Sequence, residues 1–229
     1  MGRTFNGSSD YLKRATALIT AAPFTVSCWY KPTSGTATRT LWSFGDTGGD
    51  LSYFRGVYDE IADRLDFHAR NTGTEIAAGS GTTTEGAWNH AAMVAASSTS
   101  RTSYTNGTAG TTNTVTVVPP SIDAIALGRL ERSSPVQYFG GDLAEFAIWN
   151  IALSGAQISA LAAGDNPQTI ELANLVAYWT ITGTASPEVD VIAAYELAVT
   201  GTSASADHPS IDAYGGGGST FVPQVIMVL

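Results

Sequence analysis

Along most of the chain, hydrophobic and polar positions alternate with a period of two. Phe24, Val26 and Cys28 take one side of "PFTVSCWY" while Thr25, Ser27 and Trp29 take the other, and Leu65 and Phe67 alternate with Asp66 and His68. Alternation of this kind sends successive side chains to opposite faces of a half-buried strand. Val115 and Val117 repeat it against Thr114 and Thr116, and Ile125 and Leu127 lead into Gly128. Between such runs stand "TSGTAT", "DTGGD" and "GSGTTTEG", whose small polar residues make turns. The best-defined turn is Asn106-Gly107, because a two-residue hairpin needs positive φ at both central positions. Many short strands separated by turns predict an all-β, two-sheet antiparallel sandwich of the jelly-roll kind.

One stretch departs from this period. In "GGDLAEFAIWNIALSGAQISALAAG" the alternation places Ala144, Phe146 and Ile148 on one face and Leu143, Glu145, Ala147 and Trp149 on the other. Ser154 and Gln157 then form an S-x-x-Q capping box, Ile158, Leu161 and Ala162 share one helical face, and Gly164 supplies a stop. The spacing predicts a helix of about two turns near residues 154–163, too short to stand alone. It must lie on the sandwich as a cover, with Leu153 pinning its entry.

Composition narrows the function classes. A chain of 229 residues, 44% hydrophobic, can bury the core of one β domain. The formal net charge is −9, so a phosphate backbone is repelled over most of the surface and nucleic acid is not an expected partner. The single cysteine, Cys28, sits in an alternating run as a small apolar residue, which fits a reducing compartment. No basic and apolar leader opens the sequence and no apolar run is long enough to span a bilayer, so neither secretion nor membrane insertion is expected.

"FGGDLAEFAIWNIALSGAQISALAAG" resembles the closing strand-and-helix signature of laminin-G-like jelly rolls, within the concanavalin A-like lectin and glucanase superfamily. Further pieces are similar in the same order: "FNGSSDYL", "PFTVSCWYKP", "LWSFGD", "GAWNHAAMVA", "SYTNGTAG" and "AIALGR". "LVAYWTITGTASPEVDVIAAYELAVTGTSASADHP" resembles the strands and loop that follow. The resemblance implies two curved sheets packed face to face, with a concave side that holds ligand in many relatives. It implies no single activity, since one fold hosts lectins, hydrolases and structural parts.

Candidate chemistry is sparse. Glycoside hydrolysis needs paired carboxylates on one strand face. Glu60 and Asp63 in "YDEIADRLDF" lie three apart, face opposite sides of a strand, and so depart from the superfamily's hydrolase pattern; no catalytic residue is assigned. His90 in "WNH" reads as a packing and hydrogen-bonding residue rather than a base. Asp46 and Asp50 in "GDTGGDLSY", with Asp142, are the candidate ligands should calcium bind, although turn roles are the preferred reading. Trp29, Trp42, Trp88, Trp149 and Trp179 lie in strand-like runs, which leaves Tyr53, Phe54 and Tyr58 as the more loop-like aromatic set and the glycan-contact candidates.

The sequence divides into a jelly roll over 1–212 and a Gly-rich linker with an apolar tail over 213–229. Phe221, Val222, Val225, Ile226, Val228 and Leu229 follow four glycines, and an apolar strand free to leave its own body invites pairing with another chain. The favoured expectation is therefore a non-enzymatic accessory virion protein of a bacteriophage, made in host cytoplasm. It would decorate a head or associate with a tail, oligomerise through the apolar segment, and hold surface glycans on its jelly roll. The alternatives are a soluble, extracellular carbohydrate-binding lectin and a glycoside hydrolase.

Overall fold

A computed structural model describes residues 1–33, 35 and 38–213. Its strands are β1 (Arg3–Asn6), β2 (Tyr11–Arg14), β3 (Phe24–Pro32), β4 (Thr38–Gly45), β5 (Ser52–Asp59), β6 (Arg64–Asn71), β7 (Thr74–Ser80) and β8 (Asn89–Ser97). There follow β9 (Ser100–Thr105), β10 (Thr108–Ala109), β11 (Ala124–Leu127), β12 (Gly140–Trp149), the helix α1 (Gly155–Ala163), β13 (Leu175–Trp179), β14 (Glu188–Val189), β15 (Glu196–Thr200) and β16 (Ser203–Ala204).

These strands form the two antiparallel sheets of a jelly-roll sandwich. The first runs β10-β9-β8-β3-β12-β1-β16, with β13 also paired to β12; the second runs β14-β15-β2-β11-β4-β5-β6-β7. The expected alternation builds the core between them. Phe24, Val26 and Cys28 of β3 meet Phe44, Phe54 and Phe67 of the second sheet. The Phe24 ring stands edge-on to Phe54 at 5.1 Å and to Phe67 at 5.9 Å, a geometry that adds quadrupole attraction to area burial. The hairpin between β9 and β10 turns at Asn106 and Gly107, whose φ values of 49° and 80° are the positive pair that a primed turn requires.

The helix starts and stops where its signals stand. Ser154 caps it, the backbone N–H of Ser154 donates to Gln157 Oε1 at 2.8 Å, and Gly164 ends it at φ 108°. Ile158 and Leu161 pack with Ala92, Val94, Ala147, Trp149 and Leu153, a second small core outside the first sheet.

Two local expectations are corrected. Leu143 faces the main core together with Phe146 and Ile148, because the pairing of β12 with β3 shifts register between Ala144 and Ala147. That bulge inserts a residue and restores the phase, with Glu145 at φ 57°. Val115 and Val117 form no strand. Pro119 and Pro120 follow one residue later and have no N–H to give a ladder, while Arg101 Nη2 donates to the Val115 carbonyl at 2.6 Å.

Candidate functional site

Each sheet has an outer face, and the first sheet's is closed. Helix α1 lies over it, and beneath the helix His90 is fully buried, with Nε2 2.8 Å from Ser27 Oγ and its ring edge-on to Trp29 at 5.3 Å. Burial pushes the His90 pKa down to about 3, so the ring is neutral near pH 7 and has no route to a substrate. Glu145, at the bulge, accepts from the Tyr178 hydroxyl and lies 3.0 Å from His208 Nε2. That hydrogen bond raises the His208 pKa against the opposing effect of burial. Residues 205–212 seal the rest: Ser205 Oγ donates to Asp142 at 2.7 Å, Asp207 accepts from Lys31 and from Trp88 Nε1, and the Asp212 N–H donates to the Gly164 carbonyl.

The second sheet's outer face carries no helix among the described residues. Alternation in β5 and β6 sends Phe54, Tyr58, Leu65 and Phe67 inward and leaves Tyr53, Arg55, Asp66, His68 and Arg70 outward. Antiparallel register sets Arg55 opposite His68 and Tyr53 opposite Arg70. Arg55 Nη2 lies 3.1 Å from His68 Nδ1, and its Nη1 donates to Gln137 and reaches Thr40 Oγ1 at 3.5 Å. The guanidinium carbons of Arg55 and Arg70 stand 5.3 and 5.9 Å from the Tyr53 ring centroid.

Further along the sheet, Arg129 covers the Tyr11 ring at 3.4 Å and pairs with Glu131, which also takes Lys13 Nζ at 2.7 Å. Burial pushes the Asp66 carboxyl up, but hydrogen bonds from His68 and Arg64 outweigh it and hold the carboxyl below its ordinary value. The connection over 128–139 crosses this sheet because Gly45 leaves room for the Glu131 carbonyl, which a Cβ would strike. Ser43 Oγ fixes the crossing, donating to the Arg129 carbonyl at 2.9 Å and accepting from the Glu131 N–H at 2.8 Å. The result is a sheet face whose charged groups are fixed by one another, with Arg55, Asp66, Arg129 and Glu131 buried and His68 and Arg70 half-buried.

The residues singled out from sequence fall elsewhere. Tyr53, Phe54 and Tyr58 are not loop residues: all three lie in β5 and are at most 3% exposed. Tyr53 is roofed by two guanidiniums, Phe54 packs on Phe24, and Tyr58 packs on Tyr30 at 6.0 Å, so none offers a free ring face for stacking. Asp46, Asp50 and Asp142 are not brought together, and among the described residues no group of three or more His, Cys, Asp or Glu could hold a metal ion. Asp46 accepts from the Gly48 N–H at 2.8 Å as a turn residue. Asp50 is held below its ordinary pKa by the Ser133 hydroxyl and the Ser134 N–H. Asp142, in β12, accepts from Thr4 Oγ1 at 2.6 Å and has Lys31 Nζ 3.8 Å away.

Glu60 pairs with Arg39 at 3.1 Å, while Asp63, in the turn after β5, accepts from Thr83 and Tyr58. The two do not face one another across a reacting position. Burial raises the Cys28 thiol to about 12, which removes its nucleophilic form. Phe221, Val222, Val225, Ile226, Val228 and Leu229 lie outside the described residues.

The basic residues of the second sheet were missed. Their signal was present, since Arg55 alternates with Phe54 in one strand and His68 and Arg70 with Phe67 and Ala69 in the next.

The concanavalin A-like lectin/glucanases superfamily, in its laminin-G-like branch, matches residues 6–159. No curated protein sequence matches the chain. Among solved structures, the fold is similar to the CBM40 of the Ruminococcus gnavus IT-sialidase bound to alpha2,3 sialyllactose, at 18% identity and TM-score 0.62, covering 70% of this chain and 96% of that one. Domain 4 of AbnA, an extracellular GH43 arabinanase of Geobacillus stearothermophilus in complex with arabinotriose, is 22% identical with TM-score 0.57, over 70% of this chain and 76% of that one. A heptameric SAP-like pentraxin of Limulus polyphemus is 17% identical with TM-score 0.56, over 70% and 81%.

Proposed function

The chain belongs to the concanavalin A-like lectin/glucanase superfamily, and on that premise we propose that it is a non-enzymatic carbohydrate-binding module whose ligand lies on the outer face of the second sheet. The observation that carries this reading is the asymmetry of the two outer faces. One is sealed by α1 and residues 205–212; the other carries the half-buried His68 and Arg70 on a rigid pair of strands, beside Arg55 and Asp66, which are buried. Sites on strands hold donors in place without an ordering cost at binding, which suits recognition of hydroxyl-rich ligands. Two of the similar structures are named for complexes with oligosaccharides, which supports the same reading. Glu60 and Asp63 are engaged structurally, in keeping with binding rather than hydrolysis.

The test is binding of the full-length protein to an array of immobilised oligosaccharides, with release of reducing ends assayed on every glycan bound. Binding without release is expected, and Arg70→Gln, at a half-buried position of this face, should weaken it severalfold. An array with no positive glycan overturns the binding reading, and release of reducing ends overturns the non-enzymatic one.

The sequence of residues 213–229 favours a second, compatible proposal: that the module is carried on a larger assembly, such as the head or tail of a bacteriophage particle, through its apolar terminal segment. In the sequence, four glycines precede "STFVPQVIMVL", an apolar run of the composition that strand addition uses. Light scattering of the full chain and of a chain ending at residue 213 tests it. A defined oligomer that becomes a folded monomer on truncation is the expected result; two monomers would remove the proposal's support.

A further inference from the structure

We infer that an apolar cleft at one end of the sandwich receives the apolar terminal segment, residues 221–229, of a second copy of this chain. This rests on the assembly reading of that segment and names its partner. The cleft lies where β3 begins and β8 ends, between the two sheets. Phe54 of β5, with Val117 and Pro119, makes its floor, all three buried, and Ala22, Pro23 and Ala96 make its walls. Its volume is about 370 Å³, within the range of pockets that hold ligand. Two hydrogen bonds fix the segment that bears Val117: the Val117 N–H donates to the Ser98 carbonyl at 3.0 Å, and Asn71 Nδ2 donates to the Val118 carbonyl at 2.8 Å. The cleft is therefore formed before anything enters it. Its rim is apolar and open, with Val118 51% exposed, and Leu51, next to the Ser52 hydroxyl that donates to the Pro120 carbonyl, is exposed as well.

The occupant follows from charge, composition and reach. None of the cleft's described lining residues is charged, in a chain of net charge −9. Residues 214–229 likewise carry no charged side chain and include Phe221, Val222, Val225, Ile226, Val228 and Leu229. Both surfaces gain by leaving water, and neither brings a charge that must be desolvated. Reach decides which copy supplies the segment. The described chain ends on the outer face of the first sheet, where the Asp212 N–H donates to the Gly164 carbonyl at the end of α1 and Ile211 lines a crevice with Trp29 and His90. From Trp29 back to Phe24 at the start of β3 is roughly 17 Å of strand, and passing from the outer face to the space between the sheets adds on the order of 10 Å. Helix α1 lies along that route, since the Leu153 N–H just before it donates to Thr25 Oγ1 at 3.0 Å. Ala213 and Phe221 can stand at most about 27 Å apart at full extension. Within one chain, Phe221 would reach the cleft only with residues 214–220 drawn taut around the helix, whereas a second copy presents the whole segment without that constraint. Donor and receptor then lie on different parts of each copy, a head-to-tail contact that closes a ring or extends a row.

Light scattering and disulfide trapping of the full-length protein test this. Val118→Glu and Ala96→Glu each bring a charge to the cleft from an exposed position. Each should raise the concentration needed for assembly by about tenfold or more, the effect of burying an unpaired carboxylate, with the circular dichroism of the fold unchanged. Two positions are used so that a variant that loses the fold leaves the other to decide. Val189→Glu, at a comparably exposed valine of β14 away from the cleft, should leave assembly unchanged. For trapping, a chain carrying Val118→Cys is mixed with one carrying Val225→Cys; Cys28 is buried and stays out of the exchange. A disulfide between the two chains is the expected result. If a chain carrying both substitutions closes on itself as a monomer, the second copy is overturned as the occupant. Assembly that survives both glutamates, or mixed chains that do not cross-link, overturns the cleft as receptor while the assembly reading stands. Monomers at every concentration, with and without residues 214–229, overturn both.

Discussion

The two sheets present the same kind of surface to begin with, an alternating face of polar residues set among small ones, and the chain treats them oppositely. On the first sheet, polar groups at Ser27, His90, Glu145 and Tyr178 are roofed and satisfied mainly by one another. On the second, Arg55, His68 and Arg70 are braced from below and from one side by Tyr53 and Gln137, but no helix is laid on them. A roofed polar face is a structural device, because burial fixes protonation and denies access. The second face is crossed by the connection over 128–139, with Arg55 and Asp66 buried and His68, Arg70 and Arg64 progressively more open. The contrast therefore teaches that burial of a charged side chain does not by itself mark a site: Arg55, with donors on Gln137, Thr40 and His68, is as enclosed as Glu145, and the more open positions around it are where the two faces differ.

Breaking the roof should have the largest effect. Trp149 is fully buried beneath α1, and its Nε1 donates to the Ile170 carbonyl at 2.8 Å. Trp149→Ala removes that anchor and leaves a cavity, with an expected cost of about 3–5 kcal/mol in urea unfolding. A cost below about 1 kcal/mol would show that the helix is not held by this face. Glycan affinity of the folded fraction should stay at the wild-type value, since the second sheet is separated from Trp149 by the core.

Proton linkage gives the next effect, with two histidines of the closed face acting in opposite directions. His90 has a folded pKa of about 3 against an ordinary 6.5, so its stability contribution is complete above 6.5 and is lost as pH falls toward 3. Between pH 8 and pH 5 this amounts to about 2 kcal/mol, since only the unfolded chain takes up the proton. Glu145 and Asp165 line the same crevice as His90 and favour a proton there, so a smaller loss would measure their influence. His208 faces Glu145 and the Trp88 ring, with the terminal amine opposing its charge, and its pKa is raised. Its contribution is complete below 6.5 and fades as pH rises through the folded value. Unfolding curves across this range should show loss on both sides, with His208→Gln abolishing the alkaline loss alone.

How much of this was legible in sequence follows from which forces were local. The helix was readable because its capping box and stop residue act within four positions, and the Asn106-Gly107 hairpin because two φ values decide it. The inward sides of β3 and β6 were readable from period two. Leu143 was not, because the bulge at Ala144 and Glu145 depends on how β12 meets its neighbour β3. Tyr53, Phe54 and Tyr58 looked loop-like because their segment is flanked by glycines and acids, and only pairing on both sides shows β5 to be an interior strand of its sheet. The basic face was invisible for a related reason: its residues are spread from Lys13 to Arg132 and meet only when β2, β11, β4, β5 and β6 lie side by side.

The smaller effects sharpen the contrast. Ser154→Ala removes the oxygen that accepts the Gln157 N–H and should cost about 1 kcal/mol, read as a shift in the urea midpoint with unchanged slope. Its counterpart on the open face is Arg64→Ala. The Arg64 side chain is 49% exposed and its pair with Asp66 is screened by solvent, so stability should change by no more than about 0.5 kcal/mol. On the roofed face a substitution is felt in folding, and on the open face the same class of change is felt in ligand. A measurable loss of stability in Arg64→Ala with no change in binding would place this arginine with the structural groups, and would erase the distinction between the two faces at its edge.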